Sequence, residues 1–388
     1  MNKNRSFGGR LSAILGQALI FSSLCLCASA ANLFAQEWKT VADGVEHAQV
    51  RREFSGKSVD INLLRLDLRK VRLDVHHALD KAIGLEATSS LAKRKGAIAA
   101  INAGFFRLDK SEFAGDDVGF LKIDKYLWSE PSMERTTIGI ANRRRVTEVS
   151  FNQWSFAGYL RWKSKDHPNV LKGFNREVKD NEVIAYTPAF GNMTPRKAVE
   201  TQVIVRKKKV VSLCAEKCEI PSNGFVLAGS GDGSAFLKQL EIGDRIEFLW
   251  DTITEKDSWP NFRLEDAVAG VPQLIKNGKI DITWEREKAS KSFVETRHPR
   301  TAIAKLADGK FLMLTADGRS EASAGLDLYD LAKYMLEVGA VDAMNLDGGG
   351  STTMVLESKV VNKPSDKEGE RKIGDAIVVT LRKQKKRP

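Results

Sequence analysis

Apolar and polar residues alternate through the first third of the chain. Val59, Ile61 and Leu63 hold one phase, Leu64, Leu66 and Leu68 hold the opposite one, and Val71, Leu73 and Val75 continue the pattern. A period of two marks strands. The one-residue phase slip predicts a bulge or an edge shared between two faces. From about Asp43 to Val75 the chain therefore reads as the opening hairpin of a sheet. A short helix follows, with Thr88 or Ser89 to cap it, Lys93, Arg94 and Lys95 at its negative end, and Gly96 to stop it. Ala97 to Ile101 is short and wholly apolar, as a buried strand is, and runs straight into Asn102-Ala103-Gly104-Phe105-Phe106.

The stretch from Arg144 to Ile280 is strand-rich and broken by turns, with Asn277-Gly278 as a hairpin signal. Thr254 to Glu287 is charge-rich and reads as loops around a strand. Gly229-Ser230-Gly231-Asp232-Gly233-Ser234 reads as a loop, because no strand-to-helix passage with dinucleotide spacing surrounds it.

The last third is the most regular. Thr301–Leu306 and Phe311–Thr315 are apolar strands joined through Asp308-Gly309. Leu328, Leu331, Ala332, Met335 and Val338 fall at helical spacing, with Asp327 as the cap and Gly339 just past the end. Ala340 to Leu346 returns as a strand. Strand, helix, strand predicts a crossover between parallel neighbours. The loops Asp317-Gly318-Arg319 and Asp347-Gly348-Gly349-Gly350 then share one sheet edge, where ligands bind in such arrangements. Asn102 joins that edge if its strand runs parallel to the others.

Charge and composition place this framework. Lys3, Arg5 and Arg10 precede an apolar run from Leu11 to Cys27 and small residues at Ala28 to Ala30. That order predicts a signal peptide over residues 1–30, cleaved after Ala30 or as late as Ala35, and delivery to a periplasm or the exterior. No later segment is apolar enough for a stable membrane span. Residues 43–380 are the expected domain, and 381–388 a frayed basic tail. The net charge of +11 suits an anionic partner such as a phosphorylated glycan. No aromatic–basic motif supports nucleic acid. Cys214 and Cys218, without nearby histidines, make a disulfide the better expectation than zinc or free thiols.

Three glycines after a carboxylate favour close approach of main-chain N–H groups to an anion. Gly348, Gly349 and Gly350 are flanked by Asp347 and Ser351. The plain alternative is a tight turn with an incidental carboxylate. A Walker loop is excluded, since no Gly-Lys-Ser/Thr follows. Arg297 and Arg300 bracket Pro299 and could grip a phosphate, or simply form a basic surface loop. His298 between them reads as a spacer. Cleaving a glycosidic bond calls for two carboxyl groups, and Asp347 and Asp317 are the pair at hand, with Glu321 nearby. Asp342, along a strand, reads as structural.

Asn345-Leu346-Asp347-Gly348-Gly349-Gly350-Ser351-Thr352-Thr353-Met354 resembles the signature of the phosphodiester glycosidase family, which includes the lysosomal uncovering enzyme. Asn102 to Phe106 resembles the family's Asn-Gly-Gly-Phe-Phe element, with Ala103 in place of a glycine. Arg297 to Ala302, Asp317-Gly318-Arg319 and Asn362-Lys363-Pro364-Ser365, with Arg371 nearby, match further elements in order. The resemblance runs from about Val59 to Thr380. It implies one large α+β domain with a mixed β-sheet core, flanking helices and a ligand site at strand ends. It also implies hydrolysis at a sugar–phosphate linkage.

The expected protein is an exported hydrolase that cleaves the anomeric bond of a glycosyl-1-phosphodiester in envelope or exopolysaccharide glycans. Asp347 and Asp317 would react. Asn102, Gly104, Arg297, Arg300, Thr301, Arg319, Asn345, Gly348, Gly349, Gly350 and Ser351 would bind a phosphorylated glycan or nucleotide-sugar-like substrate. No cofactor is required, although a divalent cation on Asp347 stays open, and oligomeric state is unread. A non-catalytic phosphoglycan-binding or envelope-assembly module and a metal-dependent phosphodiesterase are the alternatives.

Overall fold

The computed structural model describes residues 37–383 apart from 133, 169, 196–198 and 254–263. The expected signal peptide, residues 384–388 and the first part of the charge-rich 254–287 stretch lie outside these residues.

The hairpin of alternating residues forms as predicted, from Val45–Phe54 and Lys57–Leu66. Pairing of Lys57–Leu66 runs unbroken on both sides, to Val45–Phe54 and to Phe311–Ala316. The phase slip is therefore neither a bulge nor an edge, because this strand lies inside the sheet. Ile61 and Leu63 on one face and Leu64 and Leu66 on the other are all fully buried, so both faces are covered. The sheet built around it has eight strands in the order Lys39–Ala42, Val45–Phe54, Lys57–Leu66, Phe311–Ala316, Arg300–Leu306, Ala340–Asn345, Gln273–Lys276 and Lys279–Ile280.

Every neighbouring pair in that sheet is antiparallel. The crossover thus needs correcting: Phe311–Ala316 and Ala340–Asn345 run the same way but are not neighbours. Arg300–Leu306 lies between them and opposes both. Their C-terminal ends still reach one edge, because Arg300 pairs with Ala316 and Ala302 with Asn345. The joining helix, Leu328–Glu337, starts where its sequence says. Asp327 accepts from the N–H of Asp330 at 2.8 Å, and Gly339 exits at φ +95°.

A second sheet orders Lys359–Val360, Met354–Leu356, Ala99–Asn102, Asp375–Leu381 and Val71–His77, again all antiparallel. Leu64, Ile303, Met313 and Met344 from the first sheet share one core with Val75, Ile101, Ile377 and Val379 from the second. Truncating any of these to Ala would cost about 2–5 kcal/mol. Asn102 therefore reaches the site from a different sheet, not as a third parallel strand. The short helix Thr88–Arg94 has no side-chain cap of its own. Glu370 supplies one from afar, accepting from the N–H of Ser89 at 2.8 Å.

The middle region makes a three-stranded sheet and a mixed five-stranded one around its own core, which includes Trp154, Phe174, Val205 and Leu227. Leu171–Phe174 and Val183–Tyr186 form a parallel pair there. The glycine-rich Gly229–Ser234 segment does pass from strand to helix, between Gly224–Gly229 and Asp232–Leu237. Cys214 and Cys218 are disulfide-bonded. Strand outweighs helix throughout, giving an α+β fold dominated by β structure. Among the described residues no helix is long and apolar enough to cross a membrane. The start of the basic tail is anchored rather than frayed. Leu381 ends a strand, and Arg382 donates to the carbonyls of Val71 and Arg143 and to Thr147 Oγ1.

Candidate active site

The strand Ala340–Asn345 ends by turning Asp347 out at the edge where the two sheets meet. Asn345 locks that turn from inside. Its Nδ2 donates to the carbonyls of Val271 at 2.7 Å and Leu346 at 2.8 Å, and its side chain is fully buried. It is sealed from solvent and holds backbone, so the structure does not bring it to a sugar.

Asn102 is the hub between the sheets. Its Nδ2 donates to the carbonyl of Asp347 at 2.7 Å, and its Oδ1 accepts from Thr301 Oγ1 at 2.9 Å and the N–H of Thr353 at 3.0 Å. Thr301 also reaches Thr352 Oγ1 at 3.3 Å. An amide suits this place because it donates and accepts at once. Ala103 follows, fully buried in the shared core, and its carbonyl accepts from the N–H of Asp347 at 2.9 Å. Its methyl thus faces the core, away from any ligand. Gly104 turns its N–H to Asp375 Oδ1 at 2.5 Å.

Asp317 leaves the parallel-running strand at the same edge. Both its oxygens accept from the N–H of Lys363 at 3.1 Å, and Oδ1 also accepts from Asn362 Nδ2 at 3.3 Å. Asn362 in turn donates to the carbonyl of Thr352 at 3.0 Å and accepts from the N–H of Met354 at 2.7 Å. One side chain thereby ties the Asp317 loop to the segment that follows Asp347. Pro299 wedges between the two loops. A Cβ on Gly318 would lie 2.7 Å from the Pro299 nitrogen, and one on Gly348 would lie 2.8 Å from its carbonyl oxygen.

The triple glycine works by close packing more than by free donors. The N–H of Gly348 goes to Asp347 Oδ1 at 2.9 Å and that of Gly349 to the carbonyl of Pro299 at 2.8 Å. Gly349 sits at φ +60°, and a Cβ there would come 2.8 Å from Arg319 Nη2. At Gly350 a Cβ would lie 2.1 Å from Arg371 Nη2 and 2.2 Å from Asp366 Oδ1. Two guanidiniums therefore lie directly on bare backbone beside Asp347. Ser351 is fully buried next to them.

The arginines divide sharply. Arg319 is exposed, touches His298 Nδ1 at 3.5 Å and makes no ion pair among the described residues. Arg371 is paired bidentately with Asp366, at 2.7 and 3.0 Å. Arg300 is 1% exposed and donates to the carbonyls of Leu326, Phe293 and Thr296, with its guanidinium over the Phe293 ring. Arg297 binds Asp330 at 3.0 Å, at the start of the helix Leu328–Glu337. The structure thus turns Arg297 and Arg300 inward and leaves Arg319 facing out.

Burial pushes the carboxyl of Asp347 up to about 6, against the downward pull of Ser351, the Gly348 N–H and Arg371. Burial does the same for Asp317, also to about 6, against Lys363 and Asn362. Both values lie where a carboxyl can give and take protons near neutrality. Burial and the positive charges of Arg300 and Arg319 lower His298, which is therefore uncharged at neutral pH. Behind Asp347 lies a group that sequence patterns did not single out. Asp375 is 1% exposed beside Asp117, and Asp117 Oδ2 sits 3.3 Å from Nε2 of the fully buried His77. Gly374-Asp375-Ala376, a charge opening an apolar strand, was the one available signal. Asn362 lay within a recognised motif but carried no assigned role.

Residues 200–380 match the model of the phosphodiester glycosidase family. The Asn102 motif lies outside that stretch. The chain is 38% identical to mouse N-acetylglucosamine-1-phosphodiester alpha-N-acetylglucosaminidase over 109 residues, 26% of this chain and 21% of the mouse protein. It therefore spans far less than two thirds of that relative. A crystal structure of a protein from Synechocystis superposes with a TM-score of 0.77 at 21% identity, covering 91% of this chain and 65% of that one. A Burkholderia pseudomallei protein superposes at 0.74 with 22% identity, covering 83% of this chain and 74% of its own. These two likenesses speak to the fold. Over residues 200–380 the chain is thus similar to the phosphodiester glycosidase family.

Proposed function

We propose that this protein is an exported hydrolase that splits the bond between a sugar's anomeric carbon and a phosphodiester oxygen in envelope or exopolysaccharide glycans. The observation that carries this reading is the pairing of two carboxyls of raised proton affinity, Asp347 and Asp317, on adjoining loops beside the exposed guanidinium of Arg319, which makes no ion pair among the described residues. In its neutral form one carboxyl protonates the departing phosphate oxygen. The other, ionised, activates water or attacks the anomeric carbon. Arg319 receives the phosphate charge. The products are a free sugar and a phosphate monoester. Asn102, Thr301 and Asn362 hold the two loops in place, and Arg297, Arg300 and Asn345 are scaffold. No cofactor is needed on this reading. The leader-like N-terminus and the Cys214–Cys218 disulfide support export.

The test is sugar release from UDP-N-acetylglucosamine in oxygen-18 water, with and without a chelator and with Asp347→Asn as control. Label in the sugar, indifference to chelator and loss of release in the variant are expected. Label in phosphate together with chelator sensitivity would mean a metal-dependent phosphodiesterase. Saturable binding without release at any pH would mean a binding or assembly module.

A further inference from the structure

Behind Asp347, three side chains from three segments form a sealed row. His77 ends the strand Val71–His77, Asp117 follows the Phe105–Phe106 loop, and Asp375 opens the strand Asp375–Leu381. The side chains of His77 and Asp117 are 0% and 5% exposed, and Asp375 is 1% exposed. Nε2 of His77 lies 3.3 Å from Asp117 Oδ2 and Oδ1 of Asp375 takes the N–H of Gly104. One oxygen of each carboxyl is left over. Asp117 Oδ1 and Asp375 Oδ2 are both buried and meet no donor from any other group, although the two side chains lie within hydrogen-bond reach of each other.

Two bare carboxylate oxygens repel, and a buried acceptor without a donor is costly. A single proton between them removes both penalties. We infer that Asp375 is a neutral carboxylic acid that donates to the Asp117 carboxylate, and that this pair is the positioning device which sets the proton affinity of Asp347. Burial first, and then the Asp117 charge, push the Asp375 carboxyl well above the ordinary range. The Asp117 charge meanwhile raises His77 despite burial.

The route to Asp347 is short. Asp375 holds the N–H of Gly104 and, through its own carbonyl, the N–H of Ala103, whose carbonyl takes the N–H of Asp347. An ionised Asp375 would also set a like charge behind Asp347. The remaining titratable and charged groups facing the row are Asp116 beside Asp117, itself pushed up to about 8 by burial, with Glu130, Arg176 and Arg107 beyond it, and Arg371 on the far side of Asp347. This inference rests on the reading that Asp347 reacts.

Carboxyl carbon-13 NMR of the full chain, labelled at aspartate, tests it without an activity assay. Beside the Asp116 carboxyl, which burial pushes up to about 8, a second aspartate carboxyl should remain protonated at pH 7.5, and this one should vanish in Asp375→Asn. The amide keeps both the acceptor for Gly104 and a donor for Asp117, so the Asp347 midpoint should move less than twofold in proton affinity. Asp117→Asn removes the negative charge that holds the proton on Asp375 and offers it an amide donor, so Asp375 ionises more readily and the proton affinity of Asp347 should rise about tenfold, or about one pH unit. The double variant should return it to the starting value, which a purely structural role would not produce. No protonated aspartate signal lost in Asp375→Asn at pH 7.5, or an unmoved Asp347 midpoint in Asp117→Asn, overturns the inference. If the NMR pattern holds but no sugar is released, the glycosidase reading falls and the proton arrangement stands.

Discussion

Asn102 and Asp347 are 245 positions apart in the chain, and the side-chain amide of the first donates to the main-chain carbonyl of the second at 2.7 Å. The bond joins the end of a strand in one sheet to the loop leaving the other, so the position of the Asp347 carboxyl depends on both sheets at once. Thr301 and Thr353 use the other end of the same amide.

Asn102→Ala leaves the buried Thr353 N–H short of an acceptor and the Thr301 hydroxyl with Thr352 Oγ1 alone. An unmet buried group costs about 1–3 kcal/mol. Urea denaturation should therefore show a loss in that range. Asn102→Asp, which keeps the acceptor but not the donor, should recover part of it while leaving the Asp347 loop unanchored. Sugar release should be low in both variants.

Gly350 faces the Arg371–Asp366 pair with no room for a methyl group. Gly350→Ala must push that pair aside, and Arg371 then no longer draws the proton affinity of Asp347 down. The rate of sugar release should fall, and the Asp347 midpoint should rise. An alanine variant with wild-type rate and midpoint would show that the glycine serves the turn alone.

Arg300 and Arg319 offer an opposed pair. Arg300→Met strands the carbonyls of Phe293 and Thr296, that of Leu326 keeping the N–H of His298, and should destabilise the fold by ~2 kcal/mol or more. Arg319→Ala breaks no ion pair and should leave the melting temperature unchanged, while lowering the rate about 100-fold through loss of a charge on the leaving phosphate. Thermal melts and single-turnover rates on both variants check the division. A stable but inactive Arg300→Met would reverse the two roles.

What the sequence could tell depended on how local each cause was. The helix Leu328–Glu337 was legible because cap, apolar spacing and terminal glycine lie within one short segment. The shared edge for Asp317 and Asp347 was legible too, since two strands joined by a helix must run the same way. That Arg300–Leu306 lies between them was not, because an antiparallel neighbour arriving from upstream leaves no mark on the crossover. Arg297 and Arg300 looked like phosphate ligands because a guanidinium's partner cannot be read from its own position. Here the partners are helix-cap carboxylates and backbone carbonyls. His77, Asp117 and Asp375 come from three separate segments and meet only in the folded protein.

Asp317 gives the sharpest separation of stability from function. Its carboxyl titrates at about 6 in the folded chain, against about 3.9 when unfolded. The folded state thus binds the proton more tightly. Its contribution to stability is fullest below pH 4, falls as pH rises from about 4 to 6, and is flat above that. Asp317→Asn keeps an oxygen for Lys363 and Asn362 but cannot ionise, so that decline disappears. The variant should match the wild type near pH 4 and melt at a higher temperature at pH 8. Sugar release should drop by roughly 10²–10⁴-fold with the loss of a proton-transferring group. A lower melting temperature at pH 8 with an unaltered rate would place Asp317 in the scaffold instead. More stable and less active is the signature of a charge kept buried for chemistry.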